Sequence, residues 1–235
     1  MRRLLIAVVI CLPLLAYGAA PTLDTSNYNA SCSGTTCTVT LTSVTANDMI
    51  HVHAAINGTF AATPFTDGGD TFTNTVTPFV GGSATVGDAY VCVSSKSGTV
   101  SVVANVSSGD SIYYVEADAW KSVATSSCLD QTGYLNVSTG TANPSVPTTG
   151  NIAVANEAAI SCINYGTVPT AGWANSFVSD GGGDLCEWET NPATGSTLTG
   201  TYTASSGTGG LTIATFKPVA ATSAVKRHRG HGWRR

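Results

Sequence analysis

Tyr114, Glu116, Asp118 and Trp120 alternate along the segment YYVEADAWK. That spacing puts all four on one face of an extended strand, with Tyr113, Val115, Ala117 and Ala119 on the other. An acidic stripe flanked by aromatic rings suits a groove for sugars, because ring faces supply apolar area beside hydrogen-bond acceptors. These four are the candidate ligand-binding residues. The competing reading makes Trp120 a core or edge tryptophan, since large aromatics bury most of their surface.

Other constellations carry less chemistry. Glu187 and Glu189 in LCEWET share a strand face opposite Cys186 and Trp188, which the pattern turns inward. Hydrolysis of a glycosidic bond needs two carboxyls roughly 5–10 Å apart, one of them with a pKa raised by burial. A solvated strand face would leave both glutamates ionised, and that is the reading for this pair. His51 and His53 in MIHVHAA also share a face. Two imidazoles at i and i+2 can chelate a metal, but a third ligand would have to come from another strand, so the pattern places them on the polar outer face of a half-buried strand. The loops DGGD, with Asp67 and Asp70, and DGGGD, with Asp180 and Asp184, match neither an EF-hand nor the nonapeptide calcium repeat. Asp-Gly is a common hairpin turn, and these read as turns. There is no G-x-S-x-G elbow and no glycine-rich loop opening a helix, so the sequence implies no nucleophile, no cofactor and no metal, and no catalytic residue is assigned.

The elements that must position these residues are strands. Short alternating segments rich in Thr, Val, Tyr and Ile recur, separated by Gly, Ser, Asn and Asp: CTVTLTSV, MIHVHAAI, AYVCVSS, TVSVVANVS, SIYYVEADAW, TLTGTYTAS and LTIATFKP among about ten. This predicts an all-β antiparallel two-sheet sandwich with little helix. An internal echo runs through it. DAYVCV resembles DLCEWE and YYVEADAWK resembles GLTIATFK at an offset of 96 residues, setting Asp88 against Asp184 and Trp120 against Phe216. NDMIHVHAAING resembles NEAAISCINYG at about 109, setting Asp48 against Glu157. The echo predicts two pseudo-duplicated halves of four or five strands around one core, joined by the low-complexity run TGYLNVSTGTANPSVPTTG.

The start of the chain, MRR followed by LLIAVVICLPLLA and AYGAAP, has the form of a signal peptide over residues 1–18. No later run is long and apolar enough for a transmembrane segment, so the expectation is a secreted protein, extracellular, periplasmic or on the cell surface. Six cysteines then remain, Cys32, Cys37, Cys92, Cys128, Cys162 and Cys186, an even set that predicts disulfides in an oxidising space. Four turn-prone residues separate Cys32 from Cys37 and mark them as partners; the other four leave their pairing open. Between residues 19 and 218 fourteen acidic side chains face three lysines, a net charge of −11, so this body is a poor nucleic-acid partner. The last ten residues, KRHRGHGWRR, carry five basic residues and no acid. A disordered basic tail over 219–235 would contact an anionic surface, or be only a solvated end.

The succession CTVTLTSVTANDMIHVHAAING, TDGGDTF, YYVEADAWKSVATSSCLDQT, VANEAAISCI and LTIATFKP resembles secreted jelly-roll-like sandwich proteins found in bacteria, alone or within larger surface and phage-associated chains. The resemblance covers residues 24–218 and implies a fold and a compartment, with no reaction attached. YYVEADAWK is also similar to the E-x-D-x-x-E strand of jelly-roll glucanases, but Lys121 stands where the second glutamate belongs, which removes the acid or base partner. The expected function is a non-enzymatic module binding a glycan or other surface polymer, or serving as a structural or adhesive unit. The alternatives are a hydrolase using Glu116 or Asp118 with a distant carboxylate such as Glu187 or Glu189, and a virion or appendage component.

Overall fold

The structure is a computed structural model that describes residues 18–32, 34–177 and 183–221. The signal-peptide residues through Tyr17, Asp180 of the second Asp-Gly loop and the basic tail from residue 222 lie outside the described residues. Every regular element among the described residues is a β-strand, and every pairing is antiparallel.

The first eight strands are β1 (Thr22–Asn29), β2 (Thr36–Val44), β3 (Met49–Asn57), β4 (Phe60–Thr66), β5 (Thr73–Gly81), β6 (Ala84–Val91), β7 (Gly98–Val106) and β8 (Ser111–Lys121). They build a five-stranded sheet ordered β1-β8-β3-β6-β5 and a three-stranded sheet ordered β2-β7-β4. The next eight are β9 (Leu129–Thr141), β10 (Ser145–Pro147), β11 (Ala158–Tyr165), β12 (Thr170–Ala171), β13 (Asn175–Ser176), β14 (Asp184–Thr190), β15 (Thr199–Thr203) and β16 (Gly207–Phe216). Their sheets, β9-β16-β11-β14-β13 and β10-β15-β12, repeat the connectivity of the first half strand for strand. Apart from the β5–β6 and β13–β14 pairs, consecutive strands within each half pass between facing sheets as in a jelly roll, and the all-β antiparallel sandwich with duplicated halves is what the alternation and the echo predict.

The halves are larger than the echo implies. Each is a complete eight-stranded sandwich, and the chain has three apolar cores instead of one. Val39, Leu41 and Val102 meet Val52 and Ala117 inside the first half. Val146 and Tyr202 meet Ile163, Leu211 and Ile213 inside the second. Between them the two five-stranded sheets face each other around Met49, Trp120, Ile160, Cys162 and Phe216. The run expected as a connection is in fact β9 and β10; Leu135 and Val137 pack into the core of the second half. The true junction is the short stretch between Lys121 and Leu129.

This stacking covers both faces of each five-stranded sheet. Eight of the nine residues of β3 are buried as a result. Trp120 and Phe216, paired by the sequence echo, are both fully buried in the same seam, each contributing about 1.5–3 kcal/mol by removal from water. The disulfides close three loops: Cys32–Cys37 as spacing predicts, Cys92–Cys128, and Cys162–Cys186 directly across β11 and β14.

Candidate functional site

The seam holds the residues that the sequence singled out, in an environment the sequence did not indicate. Tyr114, Glu116, Asp118 and Trp120 do share one face of β8, but that face lies against the second half and all four are at most 1% exposed. The expected open sugar-binding groove along this stripe is therefore absent. His51 and His53 are corrected in the same way: both are buried, because β3 has sheets on both sides.

Strand register assembles a polar cluster from these side chains. His51 lies between Tyr90 of β6 and Asp118 of β8, and His53 between Asp88 and Glu116. His51 Nδ1 is 2.9 Å from Asp118 Oδ2, and its Nε2 is 3.2 Å from Asp88 Oδ1. His53 Nδ1 lies 3.2 Å from Asp88 Oδ2. Thr75 of β5 donates to Asp88, and the Trp120 indole N–H donates to Asp118. From the other half, the Thr212 hydroxyl donates to Asp88 Oδ2 at 2.8 Å and lies 3.3 Å from His53 Nδ1, so the cluster's hydrogen bonding crosses between the two sandwiches.

Electrostatics follow from this packing. Burial, the largest influence on His51, opposes its charge, but Asp88 and Asp118 outweigh it and hold its pKa well above 6.5. Burial likewise works against ionised Asp88, yet His51 and His53 hold that carboxyl well below the usual range. Glu116 goes the other way. Burial first, and then Asp118, pushes its pKa well above 4.5, favouring the neutral acid.

Two buried atoms of the cluster have no hydrogen-bond partner, His53 Nε2 and Glu116 Oε1. Such atoms are uncommon in native proteins and draw attention to their surroundings. Glu116 Oε2 accepts from the Tyr114 hydroxyl at 2.9 Å. On its other side Glu116 borders a cavity of about 140 Å³ at the β1 edge of the seam, lined also by Ser26, Asn27, Tyr28 and Phe177. Tyr28, opposite Glu116 in the β1–β8 register, stacks on Tyr114 with ring centroids 6.0 Å apart. A larger groove of about 540 Å³ runs beside Thr125, Val154 and Lys217 at the junction of the halves, but no carboxylate or histidine among the described residues lines it. The smaller cavity meets a carboxyl group, that of Glu116.

Metal-ligating geometry is present only in part. His51, Asp88 and Cys162 form one close group, and Glu116, Cys162 and Cys186 another, with ligand atoms within 4.8 Å. Cys162 and Cys186 are joined to each other, and disulfide sulfur lacks the thiolate charge that makes cysteine a metal ligand. What remains in each group is fewer than the three protein ligands of a catalytic zinc site.

Among the described residues the glutamates expected as distant partners do not meet Glu116 and Asp118 on one face. Cys186 and Trp188 face the seam as the alternation predicts, which turns Glu187 and Glu189 to the far side of their sheet. Glu187 is buried there, contrary to the solvated face expected, and accepts backbone N–H bonds from Gly172, Trp173 and Thr201 at 2.8, 2.8 and 2.9 Å. Asp118, the nearest carboxyl in sequence, is held by His51 and Trp120.

The first Asp-Gly loop is a turn. Asp67 Oδ1 accepts from the N–H groups of Gly69 and Asp70 at 3.1 and 2.8 Å, with Gly68 at φ +80°. Asp184 starts β14 and accepts from the Asn164 side chain at 2.6 Å. A feature that sequence reasoning missed is a carboxyl pair in each half. Thr45 N–H donates to both Asp24 and Asp48, at 3.2 and 3.0 Å. In the second half Asp130 and Glu157 accept from the successive N–H groups of Ala153 and Val154, at 2.8 and 3.2 Å. The echo of Asp48 by Glu157 was the available signal.

These features define the molecule as a disulfide-linked tandem of antiparallel sandwiches with a buried polar seam. Comparison with protein-family models, with curated proteins and with solved structures finds no match for the chain.

Proposed function

We propose that the chain is a secreted, non-enzymatic β-sandwich module that binds a glycan or another surface polymer outside the cell, where it also serves as a rigid structural or adhesive unit. The observation that carries this reading is the carboxyl at the seam cavity: Glu116 borders it, and no second carboxyl among the described residues lines it. One buried carboxyl can hold a polar ligand by hydrogen bonds, whereas bond cleavage by acid and base needs a partner group. Three intramolecular disulfides suit an oxidising compartment. No helix among the described residues is long and apolar enough to cross a membrane. The basic tail adds a contact to anionic surfaces that weakens as salt rises.

The test is retention of the mature chain on a panel of soluble glycans and insoluble envelope polymers, with sugar release measured in parallel. The expected result is retention on at least one polymer with no new reducing ends. Sugar release that disappears in Glu116→Gln would establish the hydrolase reading instead.

A further inference from the structure

We propose that the cavity beside Glu116 binds one uncharged sugar ring, the terminal residue of a neutral glycan. The inference rests on the surface-polymer reading above and adds the place and the ligand class.

The cavity is a built feature of the fold. It opens where edge strand β1 leaves the seam uncovered, opposite Phe177 after β13. Tyr28 is held in place by stacking on the fully buried Tyr114. Glu116 has one oxygen taken by the Tyr114 hydroxyl and the other without a partner among the described residues, although the residue is only 1% exposed. A buried polar atom in that position recovers its lost hydrogen bond when a ligand supplies one.

Size and charge narrow the ligand. At about 140 Å³ the space is well below the roughly 300–1,000 Å³ of sites for larger small molecules, so it takes one ring and not a chain of them. Tyr28 and Phe177 offer apolar ring surface, while Ser26, Asn27 and the Glu116 carboxyl offer donors and acceptors. A pyranose presents that combination, with C–H groups on one face and hydroxyls at the rim. Anionic sugars are disfavoured because the Asp118 carboxyl acts on the Glu116 position more strongly than the opposing His51, and Asp184 adds to it. Cations gain little because burial opposes a charge on the Glu116 carboxyl.

The experiment is titration of the mature chain with neutral methyl glycosides, uronic acids and alkylammonium ions, followed by calorimetry and ligand-observed NMR. A neutral glycoside should bind with a Kd on the order of a millimolar, as a single small ring allows. Tyr28→Ala, on a partly exposed edge strand, should weaken binding about tenfold with the thermal transition retained. Glu116→Leu should do the same, and Glu116→Gln, which keeps a neutral donor and acceptor, should recover most of that loss. Equal binding by wild type, Tyr28→Ala and Glu116→Leu would overturn the proposal, as would preference for uronic acids or alkylammonium ions. Polymer retention that ignores these variants overturns the cavity assignment alone. Failure to bind any polymer overturns the broader reading, and glycoside titration still decides the cavity.

Discussion

Asp48 and Glu157 occupy equivalent places in the two halves, each buried and each beside another carboxyl. Burial and the neighbouring Asp24 push Asp48 up to about 6, and burial with Asp130 pushes Glu157 up to about 7. The native state therefore holds protons that the unfolded chain releases near 3.8 and 4.5, so stability falls as pH rises from about 4 to about 7. His51 contributes with the same sign: its native pKa lies above 6.5, so its stabilisation is complete below that value and is lost as pH climbs through the native one. Asp88 opposes them at the acid end, its contribution being present above 3.8 and lost as pH falls further. The urea midpoint should consequently be highest in mildly acid solution and decline toward pH 8. Glu157→Gln should flatten that decline and raise the midpoint at pH 8 more than at pH 5; an unchanged slope would contradict the assignment. At this scale the sequence placed Tyr114, Glu116, Asp118 and Trp120 on one face correctly. The reading of Trp120 as a core tryptophan holds, but the burial of the other three was missed, because alternation reports which residues share a face and not what covers that face.

Strand by strand, the disulfides differ in what they hold. Cys32–Cys37 closes a separation of 5 residues, Cys162–Cys186 one of 24 and Cys92–Cys128 one of 36. The entropy removed from the unfolded chain grows with loop length, to roughly 2, 3.5 and 4 kcal/mol on the loop-closure model. Cys92–Cys128 also fastens the end of β6 to the junction before β9, and Cys128 is fully buried in the seam. The Cys92→Ser, Cys128→Ser double variant should therefore lose more stability in urea melts than Cys32→Ser, Cys37→Ser. The reverse order would show that the seam is not under this constraint. The Cys32–Cys37 pair was readable because a short turn determines it locally. The other two depend on which strands become neighbours, and β11 meets β14 only after the chain has crossed to the other sheet and returned. Similarly, Asp184 aligns with Asp88 in sequence, yet Cys186 takes the place opposite β11 that Asp88 takes opposite β3, a shift of one strand period.

At the scale of the whole molecule, the two halves touch closely through glycines. A Cβ on Gly81 of β5 would lie 2.4 Å from the Gly210 Cα and 2.5 Å from its N, on β16 of the other half. Both are backbone atoms, so relief requires the sheets to separate. Gly81→Ala should cost about 1–3 kcal/mol and shift tryptophan fluorescence to the red as Trp120 and Trp188 meet water. A full-strength wild-type spectrum and melting temperature would show that the seam yields more easily than this spacing indicates.

The amino-acid sequence alone determined the strand content, the repeated halves, the acidic body and the disulfide-prone cysteines, because period, composition and turn chemistry are local properties of a chain. Tertiary structure alone decided that each half closes as its own sandwich and that the polar faces of their larger sheets meet. That step converts a stripe of apparently solvated His, Asp and Glu into a buried network in which His53 Nε2 and Glu116 Oε1 are left without a partner among the described residues. The physical reason is that burial depends on the second layer brought against a strand, and that layer comes from residues about a hundred positions away.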